Sequence, residues 1–178
     1  MGNNHSVRMQ VMCALFTAVC AVFSQLTIPI QPVPITLGSF AALMAGGFLG
    51  KRYGFLSLVI YLLLGMAGVP VFSMIRAGVS VIAGPSGGFI VGFAVMAFIV
   101  GLVGEKLGFT FKNMLLGTVL GTAACYTMGL AWFMFLTGNG LWASMLLCMF
   151  PFLPGDITKI VLASYLISRY RKRLIGTN

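Results

Sequence analysis

One charged pair in an apolar stretch is the clearest place in the chain for chemistry. Asp156, one of only two acidic residues, lies three residues before Lys159. A carboxylate and an ammonium at this spacing share one face of a helix. Each would cost about 2.5–3.5 kcal/mol at the centre of a helix in lipid, so both are expected to face a protein interior or a watery cavity. The pair therefore predicts a site for a polar ligand.

Helix capping is the alternative role for Asp156. Pro154 suits the first turn of a helix, which places Asp156 near the positive end of the helix dipole. Capping does not account for Lys159, because a positive charge is unfavourable at a helix N-terminus. Ligand binding is the interpretation that uses both residues.

Three other kinds of residue are candidates for the same site. Arg76 is the one cation expected at that end of the molecule. Tyr126 and Trp132 lie on one broad face of a predicted helix, where aromatic side chains form either an interfacial belt or a ligand wall. Gly84 belongs to a glycine-rich segment that lets backbone approach a ligand or a neighbouring helix. That segment lacks the Gly-Lys-Ser/Thr ending of a phosphate loop, so nucleotide binding is not expected.

The composition defines the class of protein that must position these residues. The 178-residue chain is 60% hydrophobic and 7% charged, whereas an average soluble domain has about 25% charged residues. Such a chain cannot form a soluble surface, and its continuous apolar runs differ from the alternating segments of a membrane β-barrel. We predict a single all-α domain over residues 1–178, embedded in the lipid bilayer, where helices satisfy their own backbone hydrogen bonds.

Six apolar segments are predicted to cross the membrane as a helix bundle. A further stretch at 141–150 is too short to span and is expected to be re-entrant or interfacial. The first segment lacks a clear cleavage site for a signal peptide, so it is interpreted as a retained span. The predicted spans cover residues 9–26, 37–50, 53–68, 89–103, 114–136 and 154–168.

The basic residues predict the orientation of the bundle. Of the eleven Lys and Arg residues, nine lie near span ends on one side, Arg76 lies on the other, and Lys159 lies within the protein. Clustered cations mark the cytoplasmic side of a membrane protein. Both termini are therefore expected in the cytoplasm. The same clustering at span ends argues against nucleic-acid binding as the reason for the net charge of +9.

Two further segments have patterns with a physical meaning. Residues 29–36 contain three prolines, which exclude a regular helix and favour an extended chain. Because this segment is apolar, we expect it to pack over a ligand as a lid, with Pro34 at the site. In the first span, Ala14 and Ala18 form a small-residue face that lets another helix approach closely. Internal packing and a partner interface both explain that face.

Catalysis and metal binding are not expected from this sequence. The four cysteines form no Cys-x-x-Cys pair, and the single histidine is His5, so no zinc or haem ligand set is predicted. The chain shows no nucleotide motif and no nucleophile with an adjacent base. We therefore predict a protein that is not an enzyme and uses no cofactor.

Five segments, taken in order, resemble the biotin-specific substrate-binding subunits (the BioY family of S components) of energy-coupling-factor vitamin transporters. The resemblance covers nearly the whole chain. Each segment is a weak signal alone, but their order and spacing together are specific. The segments are residues 32–36 (PVPIT), 61–72 (YLLLGMAGVPVF), 84–93 (GPSGGFIVGF), 126–132 (YTMGLAW) and 151–159 (PFLPGDITK).

This resemblance implies six helices, capture of biotin outside a prokaryotic cell, and its release into the cytoplasm across the plasma membrane. It also implies a complex with a transmembrane coupling subunit, the T component, and two ATPase subunits. Ala14 and Ala18 match the family's contact with the coupling subunit. Two alternatives stay open: an S component for another vitamin, and a structural membrane subunit without a small-molecule ligand.

The chemistry of biotin fits the candidate residues. Its ureido group has two N–H donors, which Asp156 can accept, and a carbonyl to which Lys159 can donate. Arg76 can hold the ureido oxygen or the valerate carboxylate. Trp132 and Tyr126 can form a wall against the apolar ring.

Overall fold

The computed structural model describes the backbone of residues 2–175 and the side chains of residues 6–175. The side chain of His5 and the two chain ends named in the topology prediction, residue 1 and residues 176–178, lie outside this range. Two short strands, β1 (Thr27–Ile28) and β2 (Ile35–Thr36), pair antiparallel, and a 3-10 turn covers Ser73–Ile75. The helices of the described range are α1 (Gly2–Gln25), α2 (Gly38–Met66), α3 (Val79–Ala83), α4 (Gly87–Leu107), α5 (Phe111–Thr137), α6 (Leu141–Cys148) and α7 (Leu153–Ile175).

The helix count differs from the six predicted, since the described residues form seven α-helices. Four of them, α1 from Ser6 onward, α2, α4 and α5, are long and apolar enough to cross a membrane. The pair α6 and α7, bent by 63°, makes a fifth such element if it is counted as one span. The protein is therefore a multi-pass membrane protein. The predicted spans 37–50 and 53–68 are joined in α2, while α3 and α6 are short extra helices.

The two halves of α2 meet at a sharp break. Gly50 has φ +81° and ψ 179°, a conformation that glycine adopts without the clash of a Cβ atom. A Cβ built on Gly54 would lie 2.8 Å from the Cα of Gly46. Residues eight positions apart on a straight helix would be separated by about 12 Å along its axis. The chain therefore folds back at Gly50, and we call the halves α2a (residues 38–50) and α2b (residues 51–66).

Contacts with α1 give the direction of the first half. Phe16 stacks with Phe48 at 5.8 Å between ring centroids, and Phe23 stacks with Phe40 at 6.2 Å. Because the residue numbers fall along α2a as they rise along α1, the two helices run antiparallel.

Two hydrogen bonds give the direction of the second half. The Thr17 hydroxyl donates to the Ser57 carbonyl at 2.9 Å, and the Tyr61 hydroxyl donates to Ser24 Oγ at 2.9 Å. Here the residue numbers of the two helices rise together, so α2b runs parallel to α1. The chain direction thus alternates from α1 to α2a to α2b.

Small residues bring the remaining helices close together. A Cβ on Gly46 would overlap the backbone of Ala97, so α4 packs directly on α2a. Gly92 of α4 lies against Cys125 of α5, and Gly121 lies against Met96, which makes α4 and α5 antiparallel. The hydroxyls of Thr118 and Ser164 are 3.0 Å apart and join α5 to α7 inside the core.

The described ends of the chain meet at one end of the bundle. Arg8 Nη2 donates to the Leu174 carbonyl at 2.6 Å. At the other end, the β1–β2 hairpin lies beside the start of α7. The connection between the two strands is exposed at Ile30, at 38%, whereas Val33, just before β2, is 4% exposed. Residues 29–36 contain no helix, as predicted, but they are not extended throughout, because the chain bends at residues 31–33 and reverses between β1 and β2.

Candidate functional site

The charged pair lies in the first two turns of α7 and is buried. Lys159 Nζ donates to Asp156 Oδ1 at 2.9 Å, and the Lys159 residue is only 8% exposed. The same ammonium donates to the Thr36 carbonyl at 2.7 Å and to Ser39 Oγ at 3.0 Å. An ammonium has three donors, and these three contacts use all of them. Lys159 therefore ties α7 to β2 and to the start of α2.

Asp156 is held from a second direction by α5. The Tyr126 hydroxyl donates to Asp156 Oδ2, so each carboxylate oxygen accepts from a different partner. The Tyr126 ring is in turn packed edge-on against Phe89, at 6.3 Å between centroids. A fully hydrogen-bonded pair of this kind fixes the orientation of both charges. The carboxylate and the ammonium are thus positioned by contacts within this chain.

These charges line a cavity at the hairpin end of the bundle, which we call the main cavity. Its volume is about 60 Å³. Most of its wall is apolar and aromatic, with a few converging polar groups, which is the usual make-up of a small-molecule site. The lining residues come from the hairpin and from α2, α4, α5 and α7: Val33, Pro34, Ile35, Thr36, Ser39, Leu43, Phe89, Phe93, Met96, Thr122, Cys125, Tyr126, Phe152, Asp156 and Lys159.

A second space of about 30 Å³, the adjoining cavity, shares part of this wall. Pro34 and Phe89 border both cavities, so both cavities lie against the hairpin and α4. The adjoining cavity adds hydroxyl groups that the sequence interpretation did not identify: Ser24, Tyr61, Ser73 and Ser86. Their sequence signal was a hydroxyl residue within or beside an apolar or glycine-rich segment, which does not distinguish a ligand contact from a core hydrogen bond.

Trp132 and Gly84 contact each other rather than the main cavity. Trp132 Nε1 donates to the Gly84 carbonyl at 3.0 Å. Trp132 also lines an apolar groove on the outer surface of α4 and α5. Tyr126 and Trp132 are six residues apart, which is about 120° around a helix. That rotation explains why Tyr126 reaches Asp156 while Trp132 faces a different neighbour.

Arg76 is exposed and follows a turn with unusual backbone geometry. Met74 and Ile75 have φ values of 63° and 57°, a left-handed region that is strained for a β-branched residue such as Ile75. Gln25 holds the turn, since its Oε1 accepts from the Ile75 N–H at 3.0 Å and its Nε2 donates to the Phe72 carbonyl at 3.0 Å. Arg76 Nε donates to the carbonyl of Ser73, which lines the adjoining cavity.

The small-residue face of α1 points away from the bundle. Ala14 and Ala18 are exposed, whereas Phe16 on the opposite face is buried and stacks on Phe48 of α2a. Leu15, beside Ala14, is 53% exposed. Within the described residues, the two alanines are therefore not used for packing between helices of this chain.

The fold and the main cavity define a class: a multi-pass, predominantly helical membrane protein with a buried ion pair in the wall of an internal cavity. The family model for the BioY family matches residues 1–176. The chain belongs to the BioY family.

Proteins that are similar over nearly the whole length of this chain are named BioY. The Biotin transporter BioY of Thermotoga maritima is 34% identical over 166 residues, which is 93% of this chain and 97% of the relative. The Probable biotin transporter BioY of Pyrococcus horikoshii is 36% identical over 156 residues, 88% of this chain and 91% of the relative.

A solved structure has the same fold. The crystal structure of the S-component for biotin from an ECF-type ABC transporter superposes with a TM-score of 0.90 at 32% sequence identity. The match covers 97% of this chain and 95% of that one.

Proposed function

We propose that this protein is the substrate-binding subunit that captures biotin for an energy-coupling-factor transporter. The observation that carries the proposal is the buried network of Tyr126, Asp156 and Lys159 in the wall of the main cavity. It occurs in a chain whose relatives are named biotin transporters and whose structural neighbour is an S-component for biotin. Those relatives are named as transporters rather than enzymes.

The network suits the ureido group of biotin. Asp156 can accept from a ureido N–H, and Lys159 can donate to the ureido carbonyl in place of one of its present acceptors, the Thr36 carbonyl or Ser39. Phe89 and Phe93 supply apolar surface for the ring system. Hydrogen bonds to charged groups are stronger than those between neutral groups, so this pair supplies both orientation and affinity.

Arg76, Trp132, Gly84 and Pro34 complete the proposed site. Pro34 lines both cavities. Arg76 bonds to the backbone of the turn that includes Ser73, beside the adjoining cavity, and is proposed to reach the ligand from there. Trp132 and Gly84 are proposed to act as a bonded unit that closes the cavity region on the side of α4 and α5.

The proposed topology has six crossings with both termini in the cytoplasm. The reversal of direction between α2a and α2b supports counting α2 as two crossings. The bond between Arg8 and the Leu174 carbonyl places the two described chain ends together. Nine of the eleven cations fall at that end, which supports placing this end of the bundle on the cytoplasmic side. The membrane proposed is the plasma membrane of a prokaryote.

The proposed partners are a transmembrane coupling subunit and two ATPase subunits. An ECF-type ABC transporter is the setting of the structural neighbour, and this sequence has no ATP-binding motif of its own. The exposed face of Ala14 and Ala18 supports a contact with the coupling subunit.

Ligand release provides the direct test of biotin as the substrate. The protein is purified in detergent from cells grown with biotin, denatured, and the released small molecules are identified by mass spectrometry. We expect biotin in near-stoichiometric amount. Release of another vitamin would favour an S component of different specificity, and absence of any ligand together with no biotin binding in calorimetry would favour a structural subunit.

A further inference from the structure

A separate cavity lies at the opposite end of the bundle from the ligand site. Its volume is about 360 Å³. It lies among the described ends of α1 and α7, the reversal of α2 at Gly50, and the C-terminal end of α4. We call it the basic cavity, because three of its lining residues are cations and one is acidic: Met9, Leu49, Lys51, Arg52, Tyr53, Glu105, Arg171 and Ile175.

The single carboxylate of this cavity is already paired. Glu105 Oε1 accepts from the backbone N–H of Lys51 at 2.9 Å, and Glu105 Oε2 lies 3.2 Å from Lys51 Nζ. Arg52 and Arg171 lie outside both ion pairs that are formed among the described side chains. The cavity therefore keeps a net positive charge.

Arg171 is held in a fixed orientation. Its Nε donates to the Gly47 carbonyl at 3.1 Å, and its guanidinium carbon lies 3.5 Å from the centroid of the Phe109 ring. A stacked guanidinium presents its remaining N–H groups in a planar fork that matches the oxygens of a phosphate. Little conformational entropy is then lost when an anion binds.

The rest of the cavity is apolar. Met9, Leu49 and Ile175 line it and are almost fully buried, at 5%, 4% and 3% exposure. Free inorganic phosphate would gain nothing from such a surface. A phospholipid would place its phosphate on the cations and its glycerol at the narrow apolar edge that these side chains leave, with its acyl chains in the surrounding bilayer.

We propose that the basic cavity binds the phosphate group of an anionic phospholipid. Its position among the clustered cations agrees with the anionic surface of the cytoplasmic leaflet. This site is separate from the main cavity, and the inference does not depend on biotin being the substrate. Free phosphate offers the same headgroup chemistry, so the experiment must separate the two sources.

Native mass spectrometry of the full-length protein in detergent provides the test. Phosphatidylglycerol is titrated as the anionic lipid and phosphatidylcholine as the zwitterionic one, each with and without excess inorganic phosphate. We expect phosphatidylglycerol to bind in preference and to remain bound in the presence of phosphate. Equal binding of the two lipids, or displacement of the lipid by inorganic phosphate, would overturn the proposal.

Two variants and one control locate the site. Arg52→Gln removes an exposed cation of the cavity, and loss of one cation near a membrane surface corresponds to about fivefold weaker lipid binding. Arg171→Lys keeps the charge but loses the planar fork, so it is also expected to weaken binding. The control is Lys172→Gln with Arg173→Gln, two exposed cations of α7 that do not line the cavity.

The control double variant should bind phosphatidylglycerol like the parent protein. If it loses as much affinity as Arg52→Gln, the binding is a general effect of surface charge and the proposed site is wrong. Thermal unfolding of each variant in the same detergent, without added lipid, shows whether the fold is retained. Arg52 lies in neither described ion pair, so Arg52→Gln is expected to unfold at the temperature of the parent protein.

Discussion

Lys159 on α7 donates a 2.7 Å hydrogen bond to the carbonyl of Thr36 on β2. One ammonium therefore holds both the carboxylate of the site and the strand that borders the main cavity. A ligand that takes a hydrogen bond from Lys159 must compete with this carbonyl or with Ser39. We therefore expect binding in the main cavity to be coupled to the position of the hairpin.

This coupling predicts that biotin changes the mobility of the hairpin. A spin label at Ile30→Cys, on the exposed part of the hairpin, should report different mobility with and without biotin. Lys159→Met should raise the mobility without ligand, because the bond to Thr36 is lost. The four native cysteines are free and buried in the described structure, and they are replaced beforehand to avoid background labelling.

A label at Leu107→Cys, which is exposed at the other end of the bundle, serves as the control and should not respond. Identical spectra for the Ile30 label with and without saturating biotin would remove the lid hypothesis for residues 29–36.

The charged pair is expected to dominate affinity. Asp156→Asn and Lys159→Met each leave a buried charge without its partner, which should cost about 2–4 kcal/mol of binding free energy. That range corresponds to a rise of about thirtyfold to a thousandfold in the Kd for biotin. Isothermal titration calorimetry on well-folded protein measures it.

Lys106→Met is the matched control, since Lys106 is an exposed cation at the other end of α4. It should bind biotin normally. Asparagine retains some ability to cap a helix, so near-normal affinity of both Asp156→Asn and Lys159→Met would mean that Asp156 is only a cap. The binding site would then have to lie elsewhere, with Arg76 as the first candidate.

Tyr126 is expected to have a smaller effect that follows from its hydrogen bond to Asp156. Tyr126→Phe keeps the ring against Phe89 and removes only the hydroxyl donor. The expected loss is about tenfold in Kd, since a hydrogen bond to a charged group contributes about 1.5 kcal/mol or more. Tyr165→Phe, on the exposed surface of α7, is the control. A Tyr126→Phe affinity equal to that of the control would show that the hydroxyl does not position Asp156 for the ligand.

The ion pair of the site could be predicted from spacing because it is local. Asp156 and Lys159 lie three residues apart on one helix, and helical geometry alone places them on one face. The sequence also indicated the reversal inside α2, because Lys51 and Arg52 lie between two apolar runs. In the structure the helix is interrupted only at Gly50, so no loop separates the two halves.

Tyr126 and Pro34 were also candidates from the sequence, but the contacts that join the site could not be predicted because they are long-range. The bonds from Lys159 to Thr36 and from Tyr126 to Asp156 join elements that are distant in the sequence. Tyr126 and Trp132 are about 120° apart on α5 by spacing alone, but the neighbour that each one reaches depends on the rotation of α5 against α4 and α7. Outside the site, Glu105 accepts a hydrogen bond from the backbone N–H of Lys51 at the α2 reversal. The sequence does not indicate a contact of this kind, because every residue except proline has a backbone N–H.

The orientation of the bundle is tested by labelling intact cells with an impermeant maleimide. In a background without native cysteines, Ile30→Cys should react from outside, because the hairpin lies at the end opposite the cation cluster. Arg173→Cys, in the basic end of α7, should react only after the cells are permeabilised. External labelling at position 173 would contradict cytoplasmic termini and reverse the proposed direction of transport.

The exposed alanines of α1 provide the test of the partner interface. Ala14→Leu or Ala18→Leu adds bulk to a face that lies outside the bundle, so the fold and biotin binding should be retained while close approach of another helix is blocked. We expect less coupling subunit to co-purify with either variant. Ala123→Leu, at an exposed position of α5, is the control for a leucine added to the lipid-facing surface. Unchanged co-purification of the complex with both α1 variants would contradict the interface and leave lipid as the neighbour of this face.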